Sequence, residues 1–225
     1  MNLLAIDSST SILSAAVTCG EELHYIETDA GMKHSELVMD HIDSLMKKAS
    51  LKPGDLNAVL CMGGPGSFTG LRLGYSIAKG LALSLSIPFA PVPTLECIAQ
   101  RQEQNITLPV IEARKNAYFY AFFSGKTRLT QDRDADVSQI AGEIKQYGEK
   151  ITLTGTGAAM LYDSLPKELR ENIILNYEKK GYAREIIYIA KDKRIMDNDN
   201  TVYLYSGPEY IRETDAEAAL MRRVQ

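Results

Sequence analysis

Two turns hold the side chains with the most chemical potential. One is polar, Asp7-Ser8-Ser9-Thr10; the other is Gly63-Gly64-Pro65-Gly66, which runs on through Ser67, Phe68, Thr69, Gly70, Leu71 and Arg72. A glycine turn between a strand and a helix is the usual cradle for a phosphate, because backbone N–H groups at a helix start attract anions. The spacing does not complete any such motif. A P-loop needs Gly-Lys-Ser/Thr after the turn, and no lysine stands there. A dinucleotide fingerprint needs G-x-G-x-x-G, whereas Gly64, Gly66 and Gly70 are one residue too far apart. A hydrolase elbow needs G-x-S-x-G, and Ser67 sits in Pro65-Gly66-Ser67-Phe68-Thr69. Ser67 also lacks an identifiable base, so peptidase chemistry has no constellation behind it. A turn that starts a packing helix is the stronger reading.

Metal chemistry fares no better. His34 and His41 share a helical face but stand seven residues apart, roughly 10 Å along the axis, too far to share one ion. A capping or solvated role is expected for both, and a structural one for His24. Cys19, Cys61 and Cys97 form no C-x-x-C pair and read as free thiols of a reducing cytoplasm.

These groups need a scaffold, and the hydrophobic pattern supplies one. Strands are expected at 3–6, 12–18, 23–28, 57–62 and 89–93. Helices are expected at 34–49 (capped by Ser35 or a residue before it), from Ser67 or Thr69 onward, and at 94–102 with Thr94 as N-cap. After a polar break at 100–105 the pattern restarts. Residues 108–111, an acidic turn at Glu112 and residues 117–123 repeat the opening hairpin at an offset of 105, so that Asp7 falls on Glu112. A strand (126–130), a helix (137–147), a strand (151–154), a helix (158–165), a strand (172–177) and a helix (183–191) follow. The expectation is a duplicated α/β protein of two mixed-sheet subdomains flanked by helices, 1–103 and a smaller, divergent 104–225, with a cleft between them. At 225 residues, 45% apolar and 24% charged, the composition is that of a globular chain. Net charge is −4 with scattered basic residues, which argues against nucleic-acid binding by this chain alone. Asp7 interrupts any signal-peptide core, and the longest apolar region, 80–93, is broken by serines and three prolines. A cytoplasmic protein with no membrane association is expected.

The opening LLAIDSSTSILSAAV resembles the first hairpin of the actin-like ATPase superfamily, whose fold is ribonuclease H-like. Within it, HSELVMDHI, GGPGSFTGLRLGYSIAKGLAL, VPTLE, IEARKNAYFY and the late PEYIR resemble the TsaB (YeaZ) family. The match covers most of 1–125, and GPGSFTGLR is its specific part. The resemblance implies a role in making threonylcarbamoyladenosine on tRNA, as a non-catalytic partner of the transferase TsaD, with the ATPase TsaE cycling the complex and tRNA met only through it. TsaD-like proteins carry a metal-binding H-x-x-x-H where this chain has Thr94 and Ile98, so the partner fits better than the enzyme. The superfamily holds magnesium and phosphates between two hairpins. Asp7, Ser8, Ser9 and Thr10 keep that chemistry in the first, whereas Glu112-Ala113-Arg114-Lys115-Asn116 offers no glycine in the second. The first loop is therefore expected to be a remnant phosphate site. No cofactor is expected to be required, with ATP or ADP entering in the complex. Gly155 and Gly157 read as part of an adenosine turn or as a plain strand-to-helix turn. A free-standing ATPase or small-molecule kinase is the alternative function.

The expected partner surface comes from two helices. Gly70, Gly74, Ala78 and Ala82 recur every four residues, and interior helix glycines cost roughly 1 kcal/mol each relative to alanine, so a close approach should repay them. On the 34–49 helix, apolar residues from Leu37 to Ala49 span roughly 200°, wider than the ordinary core-facing stripe of about 100°. The expected interface is Leu37, His41, Leu45, Gly70, Gly74, Tyr75, Ala78 and Ala82, made with the TsaD-like paralogue or, alone, with a second copy. The alternative for the small residues is that Gly70, Gly74 and Ala78 accept the 34–49 helix within the chain.

Overall fold

The structure, a computed structural model, describes residues 1–102, 106–148, 150–177, 179–195, 205–209 and 211. Two sheets repeat one topology. The first comprises β1 (Leu3–Asp7), β2 (Ile12–Cys19), β3 (Glu22–Asp29), β4 (Ala58–Gly64) and β5 (Phe89–Pro93), in the order β3-β2-β1-β4-β5. The second contains β6 (Ile106–Arg114), β7 (Ala117–Tyr120), β10 (Arg133–Asp136), β11 (Ile151–Thr154) and β12 (Ile173–Asn176), in the order β10-β7-β6-β11-β12. A short hairpin, β8 (Phe123–Ser124) and β9 (Thr127–Arg128), pairs onto β6. Each sheet opens with an antiparallel hairpin and closes with parallel strands. The expected duplicated fold is present. The central strands β1 and β4 are buried along their whole length, as strands covered on both faces must be.

Helices separate the sheets into layers. The first face of the first sheet carries α1 (His34–Lys48) and α2 (Phe68–Leu85), packed over Leu4, Ile6, Leu13, Ala15 and Val17. Its other face, through Leu3, Ala5 and Leu60, meets α3 (Thr94–Ala99) and α7 (Ala183–Asp192), and the same core continues into Ile111, Phe119 and Phe123 of the second sheet. The far side of that sheet is covered by α4 (Val137–Tyr147) and α5 (Ala158–Ser164), with α6 (Lys167–Arg170) alongside. Thus α7, late in the chain, belongs to the layer between the sheets.

Local chemistry fixes the helix ends, with two departures from expectation. Ser67 caps α2 by accepting from Gly70 N at 3.3 Å, and Asp136 with Gln139 forms a reciprocal capping box on α4. By contrast, α1 starts after Lys33 with no side-chain cap, so Ser35 does not serve. Thr94 does not cap α3 either: it is the helix's first residue, fully buried, and Pro93 precedes it. No helix among the described residues is long and apolar enough to cross a membrane.

Candidate functional site

The two hairpin turns face each other across a cleft of about 490 Å³, lined on one side by Ser8, Ser9, Thr10 and Gly70 and on the other by Ile111, Glu112 and Thr156. Asp7 does not line it. Its carboxylate is fully buried; Oδ1 accepts from Ser9 N (3.0 Å) and Ser9 Oγ (2.7 Å), and Oδ2 accepts from Tyr182 N at 2.8 Å. Tyr182 is the residue that starts α7. A carboxylate there satisfies an orphan N–H and complements the helix dipole. The next groups follow suit: Ala183 N donates to Ser14 Oγ (3.1 Å) and Gly181 N to Glu27 Oε2 (2.9 Å).

Asp7 as held here presents no oxygen toward the cleft for a magnesium nucleotide: the carboxylate is fully buried and both oxygens accept from protein donors. Ser8 Oγ donates to Gly70 O (2.8 Å), and Ser9 Oγ is held by Asp7. In the second hairpin Glu112 is exposed at the cleft edge, but Arg114 points toward Asp134 (3.8 Å). Gly155 and Gly157 form a strand-to-helix turn packed on β6, with Thr156 between them on the cleft: a Cβ at Gly155 would stand 2.4 Å from Val110 O, and one at Gly157 3.0 Å from Glu112 N. Among the described residues no group of three or more His, Cys, Asp or Glu is placed to hold a metal. Thr94 and Ile98 are buried in the inter-sheet core.

Burial pushes the Asp7 carboxyl above the usual carboxylate range, against the pull of its Ser9 and Tyr182 donors. A folded-state pKa above the unfolded value of about 3.9 means that the folded chain keeps this proton longer. This group therefore costs stability as pH rises from about 4 through the elevated value. Urea unfolding of wild type and Asp7→Asn between pH 4 and 7 checks the sign: wild type should lose stability relative to the variant as pH increases.

The expected interface residues are placed mostly inside. His41 is neither capping nor solvated; its Nε2 lies 2.9 Å from Thr28 Oγ1, and the ring is buried. His34 Nε2 meets Thr10 O at 2.8 Å. Leu45, Tyr75, Ala78 and Ala82 are buried in the core beneath α1 and α2, with Leu37 half-buried at its margin. Gly70 and Gly74 meet this chain's own first turn, since added Cβ atoms would stand 1.9 Å from Ser8 O and 2.9 Å from Ser8 Oγ. The glycine stripe is thus internal packing, though its neighbour is the Asp7 turn and not α1. The glycine turn is likewise occupied from within. Gly64 has φ +113, and a Cβ on it would lie 2.6 Å from Glu209 O, while Glu209 N donates to Gly63 O at 2.9 Å. Of the late PEYIR motif, Tyr210 and Arg212 lie outside the described residues.

A second small-residue stripe was missed. Ser76, Gly80 and Ser84 recur every four residues on the opposite side of α2, all exposed, with nothing within 4 Å of a Cβ built on Gly80. Leu73 and Ile77 flank it half-buried, Ile77 packing against the core beneath α2, and Leu83 is 62% exposed. On α1, which covers the same sheet face, Met39 is 50% exposed. The signal was in the sequence: α2 carries small residues at four-residue spacing on both faces, and only the fold says which faces inward.

Duplicated sheets with paired hairpins around a central cleft define an actin-like ATPase fold. A family model described as "TsaD: tRNA N6-adenosine threonylcarbamoyltransferase" matches residues 27–220. The chain belongs to this family, in its TsaB (YeaZ) branch. It is 27% identical to the "tRNA threonylcarbamoyladenosine biosynthesis protein TsaB" of Bacillus subtilis (strain 168), over 97% of both chains. It is 29% identical to the protein of that name from Buchnera aphidicola subsp. Acyrthosiphon pisum (strain APS), over 91% of this chain and 97% of that one. In fold it is similar to a Pseudomonas aeruginosa crystal structure described as an uncharacterized protein with similarity to peptidase YEAZ, with TM-score 0.82 and 20% identity over 94% of this chain and 99% of that one.

Proposed function

We propose that this chain is a non-catalytic subunit that binds and activates a TsaD-like threonylcarbamoyltransferase in tRNA threonylcarbamoyladenosine biosynthesis in the cytoplasm. The observation that carries the reading is the outer face of α2, an apolar and small-residue stripe with no partner at Gly80 among the described residues, on a chain of a transferase family that has Thr94 and Ile98 where the metal ligands would stand. Such a stripe permits close helix approach, and a patch of exposed apolar side chains marks an association surface. The interface is therefore assigned to Leu73, Ile77, Gly80 and Leu83, with Met39 from α1, a half-turn of α2 away from the glycines first expected there. Without the paralogue the same face pairs with a second copy as a twofold dimer. A TsaE-like ATPase and any ATP or ADP act on the assembled complex.

Met39→Glu with Leu83→Glu tests the assignment. Met39 is 50% and Leu83 62% exposed, so the isolated chain should keep its unfolding midpoint. Titration calorimetry with the TsaD-like protein should show binding weakened about 30-fold or more, as expected when interface anchors together worth about 2 kcal/mol are lost. Unchanged affinity in a folded variant overturns this interface.

A further inference from the structure

A second concavity, of about 600 Å³, opens on the opposite side of the first sheet from α1 and α2, where α7 borders α3 and the β8–β9 turn. Its lining includes Arg101, Lys126, Glu185, Tyr188, Lys191 and Asp192. The charges are not equivalent. Glu185 is buried and held by Arg101, with Oε1 2.7 Å from Nε and Oε2 3.1 Å from Nη2. This leaves Lys126 and Lys191, both exposed and without an ion pair among the described residues, against the single carboxylate of Asp192. Between them Tyr188 is 49% exposed, although it stands on a helix whose neighbouring positions Ile186, Ile187 and Ile189 are buried. Arg184, Tyr188 and Lys191 fall at i, i+4 and i+7, hence on one face.

We infer that this groove is an RNA-contact site, in which Lys126 and Lys191 meet backbone phosphates and the Tyr188 ring stacks on an unpaired base. An aromatic face between cations is the chemistry by which proteins hold single-stranded nucleic acid. Phosphate contacts of this kind position the ligand and carry no sequence information. An acidic protein segment would satisfy the lysines but would leave the open ring unused. The inference rests on the tRNA-modification reading above. It also explains how the chain serves that reaction from two sides, since the paralogue docks on α1 and α2 and leaves this opposite face open.

The test is tRNA affinity measured by fluorescence anisotropy across 50–200 mM salt, for the isolated chain and for the complex with the TsaD-like protein. Co-elution scores complex formation separately, so failure of the partner reading and failure of the groove are distinguishable, and the isolated chain scores the groove either way, because the inference reverses the expectation from net charge that tRNA is met only through the complex. In Lys126→Gln/Lys191→Gln, affinity at 100 mM salt should fall about tenfold or more. The slope of log K against log salt should flatten by about 1.4–1.8, because each lost phosphate contact removes about 0.7–0.9. Tyr188→Ala should weaken binding at least about fivefold and Tyr188→Phe should restore it, a pattern that a merely structural tyrosine would not produce. Unchanged affinity and salt slope in the double variant overturn the proposal. So does capture of a poly-glutamate peptide by the groove with RNA binding unaffected, which assigns the site to an acidic protein partner.

Discussion

Gly70→Ala is expected to destabilise the chain by more than about 4 kcal/mol, or to prevent folding, although alanine is the better helix former. The helix-propensity gain is about 1 kcal/mol. Against it stands a Cβ placed 1.9 Å from Ser8 O, a collision with backbone that rotamer adjustment cannot relieve. Either α2 or the β1–β2 turn must move, and with them Ser8, whose Oγ donates to Gly70 O at 2.8 Å. Penalties of this size come from a short list of causes, overpacking against rigid neighbours among them. Gly80→Ala is the internal control. It lies on the same helix with nothing within 4 Å of its added Cβ, so it should stabilise by up to about 1 kcal/mol. Urea unfolding of the pair measures both. Two variants of equal stability would mean that α2 does not seat on the Ser8 turn.

The second large effect concerns Asp7. If this carboxylate held a nucleotide's metal, removing it would cost binding and little stability. Its three donors say otherwise. Asp7→Ala leaves the N–H groups of Ser9 and Tyr182 without an acceptor in a fully buried setting, at about 1–3 kcal/mol for each unmatched group. A loss of about 3 kcal/mol or more is expected. At 2–4 °C per kcal/mol for a chain of this size, the melting temperature should fall by roughly 6–12 °C. The loss should be felt first at α7, so amide exchange across Ala183–Ile189 should accelerate more than across α1. Near-wild-type stability combined with lost nucleotide affinity would reverse the assignment and restore Asp7 as a ligand.

Much of the architecture could be read from periodicity. Strands such as Ile151–Thr154 and helices such as Val137–Tyr147 have the expected bounds, because apolar runs with strong flanking signals leave little choice. The missed strand, Arg133–Asp136, reads Arg-Asp-Ala-Asp and buries only Ala135; an edge strand needs pairing more than apolar content. The site was harder. Asp7 was legible as a chemically loaded residue, but its partner Tyr182 lies 175 residues away, and no local pattern announces a cap across that distance. His41 looked like a surface histidine by spacing, yet it faces Thr28 on β3. The glycines of α2 call for a close neighbour, but that neighbour is the Ser8 turn and not the helix expected there. Which stripe faced the chain and which faced outward depended on where Ser8 falls in space.

The central claim is that the chain activates a paralogous transferase without catalysing the transfer itself. Reconstitution measures this directly: threonylcarbamoyl transfer to tRNA by the purified TsaD-like and TsaE-like proteins, with and without this chain, and by this chain alone. The account predicts no product from the chain alone, little from the others without it, and full activity when all are combined, lost again with Met39→Glu/Leu83→Glu. Modified tRNA from the isolated chain, or equal yield whether or not it is added, would contradict the account.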